Sequence, residues 1–288
     1  MDLRKIAIEI NEELEDRRKS LQLTFIEDEH KYFMKDLDGN IKDIFPSVSK
    51  VLGCFYEKFD ADKKSLEISN GDIEQQKLLL EKWRLSGEYA TNLGSRVHFE
   101  LEKYLVEQYG CYKNVRQPIF NCDDDQITIG DNMIAAGKKF INLLHERGAV
   151  LLDTEIVLGD NELGYTGQPD KVWLIKNKQE TDFGFLITDW KTNQPKNFEV
   201  QPYTDMMLNP FWMYHNTALS HYYIQLPLYG KLLLKMLKGT KFENVKLLGC
   251  IVTLLKNDRT FQEYRVPQDI NSTILNIDIT KYTKKFLL

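Results

Sequence analysis

Charged residues interrupt two apolar segments near the middle of the chain. Residues 164–175, GYTGQPDKVWLI, carry Asp170, and residues 183–192, FGFLITDWKT, carry Asp189 and Lys191. Both segments are rich in β-branched and aromatic residues, which predicts two neighbouring β-strands. Their apolar flanks are typical of central strands that are covered on both faces. The fold must therefore accommodate two acids and a lysine in or beside a central sheet.

The order of the remaining predicted elements favours an α+β fold, with a central mixed sheet flanked by helices. The predicted elements are an amphipathic helix at 3–18, a hairpin around Asp38-Gly39-Asn40, a helix start at 46–55, helices at about 73–109, 131–147 and 220–238, strands at 149–158, 244–255 and 260–266, and a C-terminal helix. We expect Gly87 and Gly94 to interrupt the helical pattern of 73–109, and Pro227 to start or kink the later helix. We expect one domain over 1–288, made of an N-terminal helix and hairpin (1–45), a helical region (46–147) and a sheet core (148–288).

Composition excludes several classes of protein. Hydrophobic residues make up 42% and charged residues 28% of the 288 residues, which is typical of a folded globular protein. No run approaches the roughly 18 apolar residues of a membrane span, and the charged N-terminus is unlike a signal peptide, so we expect a cytoplasmic protein without membrane contact. Four scattered cysteines predict free thiols. The net charge of −5 argues against non-specific coating of nucleic acid but allows one local basic groove.

Strand periodicity predicts a metal site at the two acids. Asp189 and Lys191 share one face of their strand and Trp190 takes the other. Burying an acid and an ammonium without compensation costs several kcal/mol. A divalent cation held by Asp170 and Asp189 would compensate, and Lys191 would then orient or activate water or stabilise charge on a phosphate. The alternative is a solvated strand face on which Asp189 and Lys191 pair with their neighbours.

The motifs of the chain resemble a known nuclease superfamily. Gly167-Gln168-Pro169-Asp170 and Asp189-Trp190-Lys191 are similar to the PD-(D/E)xK signature. Gly94-Ser95-Arg96-Val97-His98 with Glu102, and Gln225 with Tyr229, resemble the upstream and downstream motifs of its RecB-like branch. The segment PSVSKVL, Trp83 and the D-W-K-T form are similar to mitochondrial genome maintenance exonucleases and related phage exonucleases. The resemblance covers about residues 45–238.

The resemblance implies roles for individual residues. Asp170, Asp189 and Lys191 would be catalytic, and the metal ligands would be His98, Asp170, Asp189 and the backbone carbonyl of Trp190. Glu102 shares a helix face with His98 and would orient it or contact metal-bound water, unless it is an ordinary solvated glutamate. Gln225 and Tyr229 would order Lys191 or contact DNA, although Tyr229 also fits a core stripe.

Other residues are candidates for contacts with DNA. Ser47 and Ser49 can bind phosphate at a helix start, or simply cap that helix. By the resemblance, Thr192 would contact phosphate. Arg96 would face the strand being cut or form a salt bridge. The aromatic segment 196–223 is expected to pack most of its rings and to leave one or two for stacking on bases.

These residues lead to a functional hypothesis. We expect a Mg²⁺- or Mn²⁺-dependent DNA exonuclease of recombination, repair or replication, acting on single- or double-stranded DNA, with a single-strand-binding or recombination protein as a candidate partner. We expect no iron–sulfur cluster, because only Cys250 follows Lys191, and no nucleotide cofactor, because no GxxxxGK[ST] loop occurs. The alternatives are a structure-specific or restriction-type endonuclease, a catalytically silent nucleic-acid-binding module, and an unrelated metal-binding α+β protein.

Overall fold

The fold is a mixed α+β structure built on a five-stranded sheet. The computed structural model describes residues 2–287 except 27–28, 30, 110–114, 116–117, 178, 180 and 202–203. Its helices are α1 (Leu3–Leu21), α2 (Val48–Leu52), α3 (Ala61–Ile68), α4 (Ile73–Tyr109), α5 (Asp124–Glu146), α6 (Ala218–Met236), α7 (Gln268–Asn276) and α8 (Thr280–Thr283), with short 3-10 turns at Pro195–Phe198 and Lys284–Phe286. Its strands are β1 (Thr24–Ile26), β2 (Lys31–Lys35), β3 (Ile41–Lys42), β4 (Val150–Thr154), β5 (Leu158–Asp160), β6 (Tyr165–Gly167), β7 (Lys171–Lys176), β8 (Phe183–Lys191), β9 (Lys246–Leu255) and β10 (Phe261–Arg265).

The central sheet places β8 in its middle. The strand order is β10-β9-β8-β7-β4, in which β8 and β9 are parallel and the other neighbours are antiparallel. The mixed sheet of the sequence prediction is therefore confirmed. The predicted N-terminal hairpin is also confirmed, because β2 pairs antiparallel with β3 across the turn at Gly39, whose φ is 85°.

Alternate residues of β8 supply two hydrophobic cores, one on each face of the sheet. Phe185 and Ile187 belong to a core with α1, α2, α6 and α7, whereas Leu186 and Trp190 belong to a core with α4 and α5. This alternation is what a strand covered on both faces requires. It explains why the strand reads as an almost continuous apolar run. None of the described helices combines the length and the apolar character needed to cross a bilayer.

The three strands predicted between residues 149 and 192 are in fact five. The first breaks at Glu155, whose φ of 47° lies in the left-handed region that an extended strand cannot use. The second breaks at Gln168-Pro169-Asp170, where Pro169 has no N–H for the sheet ladder. Asp170 therefore lies immediately before β7, not within a strand. The third predicted strand is β8.

Three predicted features of the helices differ from the helices of the structure. Gly87 and Gly94 do not interrupt α4, which runs unbroken over the predicted range. The helix predicted at 131–147 begins earlier, at Asp124, because Asp123 and Gln126 form a capping box there. Pro227 lies inside α6, so the predicted helix start at this residue is wrong, while the predicted kink stays a prediction. A proline removes one helical hydrogen bond, but Leu226 and Leu228 beside it are fully buried and this packing holds the helix together.

The end of α7 is held by a lysine from α6. Lys231 Nζ donates hydrogen bonds to the carbonyls of Ile274 at 3.0 Å, Leu275 at 3.2 Å and Ile277 at 2.5 Å. These belong to the group of carbonyls that a helix C-terminus leaves without backbone partners. Burial lowers the pKa of Lys231, while Asp278 opposes that shift. One ammonium thus joins α6 to the C-terminal segment.

We therefore expect Lys231→Met to destabilise the fold by about 1–3 kcal/mol, because it leaves several partly buried carbonyls without a donor. The free energy of unfolding measured by urea denaturation would test this. Lys238→Met, at an exposed position just beyond the same helix, is the matched control and should change stability by less than about 0.5 kcal/mol. Equal stability of the two variants would contradict the assigned role.

Candidate metal centre

Three side chains from distant parts of the chain meet at one end of β7 and β8. His98 comes from α4, Asp170 from the turn before β7, and Asp189 from β8, and their ligand atoms all lie within 4.8 Å of one another. Among the described residues they form a group with the donor types of a divalent metal site. The sequence prediction had named all three.

The backbone around Asp170 is fixed by Glu155, the residue that follows β4. Gln168 Nε2 donates to the Glu155 carbonyl at 2.8 Å, and the Glu155 amide donates to the Asp170 carbonyl at 2.9 Å. Gly167 lies so close to its neighbours that an added Cβ would come within 2.6 Å of Val48 and 2.7 Å of the Tyr229 ring. The G-Q-P-D motif is therefore a tightly constrained turn that presents Asp170.

His98 is held in one tautomer by the strand that it faces. Its Nε2 lies 3.0 Å from the Trp190 carbonyl, which can only accept, so Nε2 carries the proton. Burial lowers the pKa of His98 to about 4, against the opposing effect of Asp170, so the imidazole is neutral near pH 7. The lone pair of Nδ1 then lies 3.3 Å from Asp170 Oδ2. Two acceptors that face each other in this way fit a cation bound by both.

Asp189 supplies a second indication of a bound cation. Its side chain is only 4% exposed, and Oδ2 pairs with Lys191 Nζ at 2.6 Å. Its other oxygen, Oδ1, is buried and has no hydrogen-bond partner. Burial, together with the nearby Asp170 carboxylate, raises the pKa of Asp189 while Lys191 opposes this shift, so the ionised form is disfavoured until a cation joins the site. A buried carboxylate oxygen without a partner is costly, and a metal ion would satisfy it.

Asp170 and Lys191 are charged in this arrangement. Burial alone would raise the pKa of Asp170, but Lys171, His98, Asp189 and Lys191 together hold it well below its usual range. Burial alone would lower the pKa of Lys191, but Asp189 and Asp170 outweigh it and raise that pKa. The predicted position of Asp189 and Lys191 on one face of the strand is confirmed by their contact. Lys191 is thus a donor, held as an ammonium beside the acids.

Two residues outside the predicted site, Tyr222 and Lys171, contact its charged groups. The Lys191 ammonium lies 4.4 Å from the centre of the Tyr222 ring, and Tyr222 Oη donates to Asn193 Oδ1 at 3.2 Å. Lys171 Nζ lies 3.3 Å from Asp170 Oδ2. Both positions can be recognised in the sequence as neighbours of site residues. Tyr222 lies one helical turn before Gln225, and Lys171 is a charged residue between Asp170 and the apolar run VWLI.

Several predicted residues hold the elements of the site together. Glu102 accepts a hydrogen bond from buried Thr154 Oγ1 at 3.0 Å, which joins α4 to β4. Arg96 donates to the Ile127 carbonyl at 3.1 Å and pairs with Asp131, so it forms the salt-bridge alternative that the sequence left open. The Trp190 carbonyl accepts from His98. Three of the predicted roles stay predictions. They are the contact of Glu102 with His98 or water, the contact of Arg96 with DNA, and the Trp190 carbonyl as a metal ligand.

The downstream motif packs beside the site. Gln225 Nε2 donates to Tyr229 Oη at 3.0 Å, and the Tyr229 ring lies against Gly167 within the core. Tyr229 therefore has the core position that was its alternative interpretation, and it also backs the turn of Asp170. A Cβ added to Gly94 would lie 3.3 Å from Thr192 Oγ1. Because glycine has no side chain, α4 can approach the end of β8 closely at this point.

The remaining candidates have mainly structural contacts. Ser47 caps α2 by accepting from the Lys50 amide at 3.4 Å, and Ser49 is exposed in the first turn of that helix. Most described rings of the aromatic segment pack: Phe211 lies against Phe55, while Phe198 lies against Tyr222 and Tyr264, and Tyr214 Oη donates to Asp269. Trp212 is 59% exposed and remains a stacking candidate, whereas Tyr203 lies outside the described residues.

Three of the four cysteines, all predicted to be free thiols, lie among the described residues. Cys54, Cys122 and Cys250 are free thiols, and of these Cys250 is buried while the other two are half-buried. Cys111 lies outside the described residues.

No protein-family model matches the chain, and no curated protein matches it.

We expect Mn²⁺ or Mg²⁺ at saturation to raise the melting temperature by on the order of 5 °C, because an ion that binds only the folded state adds to its stability. Asp189→Asn should remove this gain, because it removes the negative charge and exchanges one carboxylate oxygen for an NH2 group that cannot bind a cation. Asp182→Asn, at an exposed position before the same strand, is the matched control and should keep the gain. An undiminished metal response in Asp189→Asn would argue against the site.

Proposed function

We propose that this chain is a metal-dependent DNA nuclease with a PD-(D/E)xK core of the RecB-like type, and that it acts as an exonuclease. The observation that carries the proposal is the convergence of His98, Asp170 and Asp189 within 4.8 Å, with the Lys191 ammonium 2.6 Å from Asp189. The four motif elements, in their order along the chain, support this assignment over an unrelated metal-binding protein.

The donor set favours Mg²⁺ or Mn²⁺ as the ion. Two carboxylates with a single neutral imidazole suit these oxygen-preferring cations, and no thiol belongs to the group among the described residues. When bound, such an ion polarises a phosphoryl group and makes water a stronger nucleophile near neutral pH. Asp170 Oδ2, Asp189 Oδ1 and His98 Nδ1 would hold it.

The residues around these ligands have separate tasks. The Trp190 carbonyl keeps the proton of His98 on Nε2, which leaves Nδ1 as a ligand atom. Lys191 keeps its proton because two carboxylates raise its pKa, so it donates to a phosphate oxygen or orients water and does not act as a base. Tyr222 and Asn193 limit where the Lys191 ammonium can lie. These residues together form a preorganised site for phosphodiester hydrolysis.

Asp189→Asn and Lys191→Ala should each lower the rate of DNA hydrolysis by at least about 10²-fold, since the first removes a metal ligand and the second removes the ammonium that stabilises the reacting phosphate. The measurement is release of label from end-labelled linear DNA in Mg²⁺ or Mn²⁺, with circular dichroism to establish folding. Asp182→Asn serves again as the control. Wild-type activity in either site variant would overturn the proposal, and DNA binding by the wild type without turnover would favour a silent binding module.

The choice between exonuclease and endonuclease can be tested with DNA that has no ends. We expect the protein to degrade linear single-stranded DNA and to leave covalently closed circular single strands of the same sequence intact, because an exonuclease needs a terminus. Linear DNA with blocked 5′ or 3′ ends would then give the direction of cleavage. Cutting of the closed circle at a comparable rate would identify an endonuclease.

A further inference from the structure

Lys171 is a buried cation with few partners. It is the first residue of β7, lies opposite Thr188 of β8, and is 1% exposed. Lysine is almost never fully buried unless its charge is paired, because removing the ammonium from water is costly. Its neighbours must therefore explain why a charge is kept at this point of the sheet.

Two groups of the metal centre surround the Lys171 ammonium. Nζ lies 3.3 Å from Asp170 Oδ2 and 3.5 Å from the centre of the Trp190 ring. The face of an indole ring attracts a cation, and the attraction is strongest where water is excluded. Trp190 is itself fully buried, and its carbonyl orients His98. Lys171 thus contacts one candidate ligand directly and another through Trp190.

The same oxygen of Asp170 faces both Lys171 and His98. Oδ2 lies 3.3 Å from Lys171 Nζ and 3.3 Å from His98 Nδ1. A metal ion held by His98 and Asp170 would have to share this carboxylate with the ammonium. Positive charges at such short range repel each other strongly in a poorly solvated site. The ammonium and the metal ion therefore compete for the same negative charge.

We propose that Lys171 is a positioning residue and an internal counter-cation of the metal centre. It holds the Asp170 carboxylate and the Trp190 ring in place before a metal ion binds, and it lowers the affinity of the centre for that ion. Lys191 has a different task, because it is paired with Asp189, is 19% exposed and lies beside Tyr222. This inference rests on the proposed metal-dependent function.

The test compares Lys171→Met with the wild type and with Lys176→Met. Lys176 lies at the exposed far end of the same strand, so the control removes the same charge from β7 away from the centre. Mn²⁺ affinity is measured by calorimetry, and melting temperature with and without Mn²⁺ is measured in parallel. For Lys171→Met we expect a lower melting temperature without metal and Mn²⁺ binding about tenfold tighter, because a repelling charge is gone. Lys176→Met should bind Mn²⁺ with wild-type affinity and should show the wild-type rise in melting temperature when Mn²⁺ is added.

The outcomes separate this inference from the proposed function. Unchanged or weaker Mn²⁺ binding by Lys171→Met, with normal binding by the wild type, overturns the counter-cation role alone. Failure of the wild type to bind Mn²⁺ overturns both. Should Lys171→Met be unfolded without metal, Mn²⁺ should fold it by replacing the lost charge, and Lys171→Gln should behave in the same way. Failure of Mn²⁺ to fold both variants overturns the role.

Discussion

The burial of Asp189 on the middle strand of the sheet is the constraint on which the site depends. A carboxylate with one oxygen paired to Lys191 and the other without a hydrogen-bond partner is unfavourable in a protein interior. The surrounding groups are placed to offset this cost. Lys191 supplies a charge from the same strand, and Asp170 with His98 completes a group of ligands that a cation can join.

The two-sided sheet allows both helical layers to reach this point. Because residues alternate along β8, Asp189 and Lys191 face α6 while Trp190 faces α4 and α5. Tyr222 therefore approaches Lys191 from one layer, and His98 approaches the Trp190 carbonyl from the other. The site lies at the end of β8, where side chains from both helical layers can reach the same strand.

The charges of the site form two acid–lysine pairs at adjacent ends of the neighbouring strands β7 and β8. Asp170 is paired with Lys171, and Asp189 with Lys191. The pairs differ in their surroundings, since Lys171 is enclosed with Trp190 whereas Lys191 is partly exposed beside Tyr222. One lysine is therefore suited to stabilising the protein, whereas the other has the exposure that the proposed contact with a phosphate requires. This division follows from burial alone, because the residue types are the same.

Local periodicity in the sequence determined the range of α4, the neighbouring strands β7 and β8, and the shared face of Asp189 and Lys191, because these depend on residues close together in the chain. It did not determine the break at Gln168-Pro169-Asp170, which makes Asp170 part of a turn and puts Lys171 against Trp190. The contact between His98 and the Trp190 carbonyl joins positions 92 residues apart. Only the packing of α4 and α6 against opposite faces of the sheet decided which side chains meet, since such contacts leave no periodic trace in the sequence.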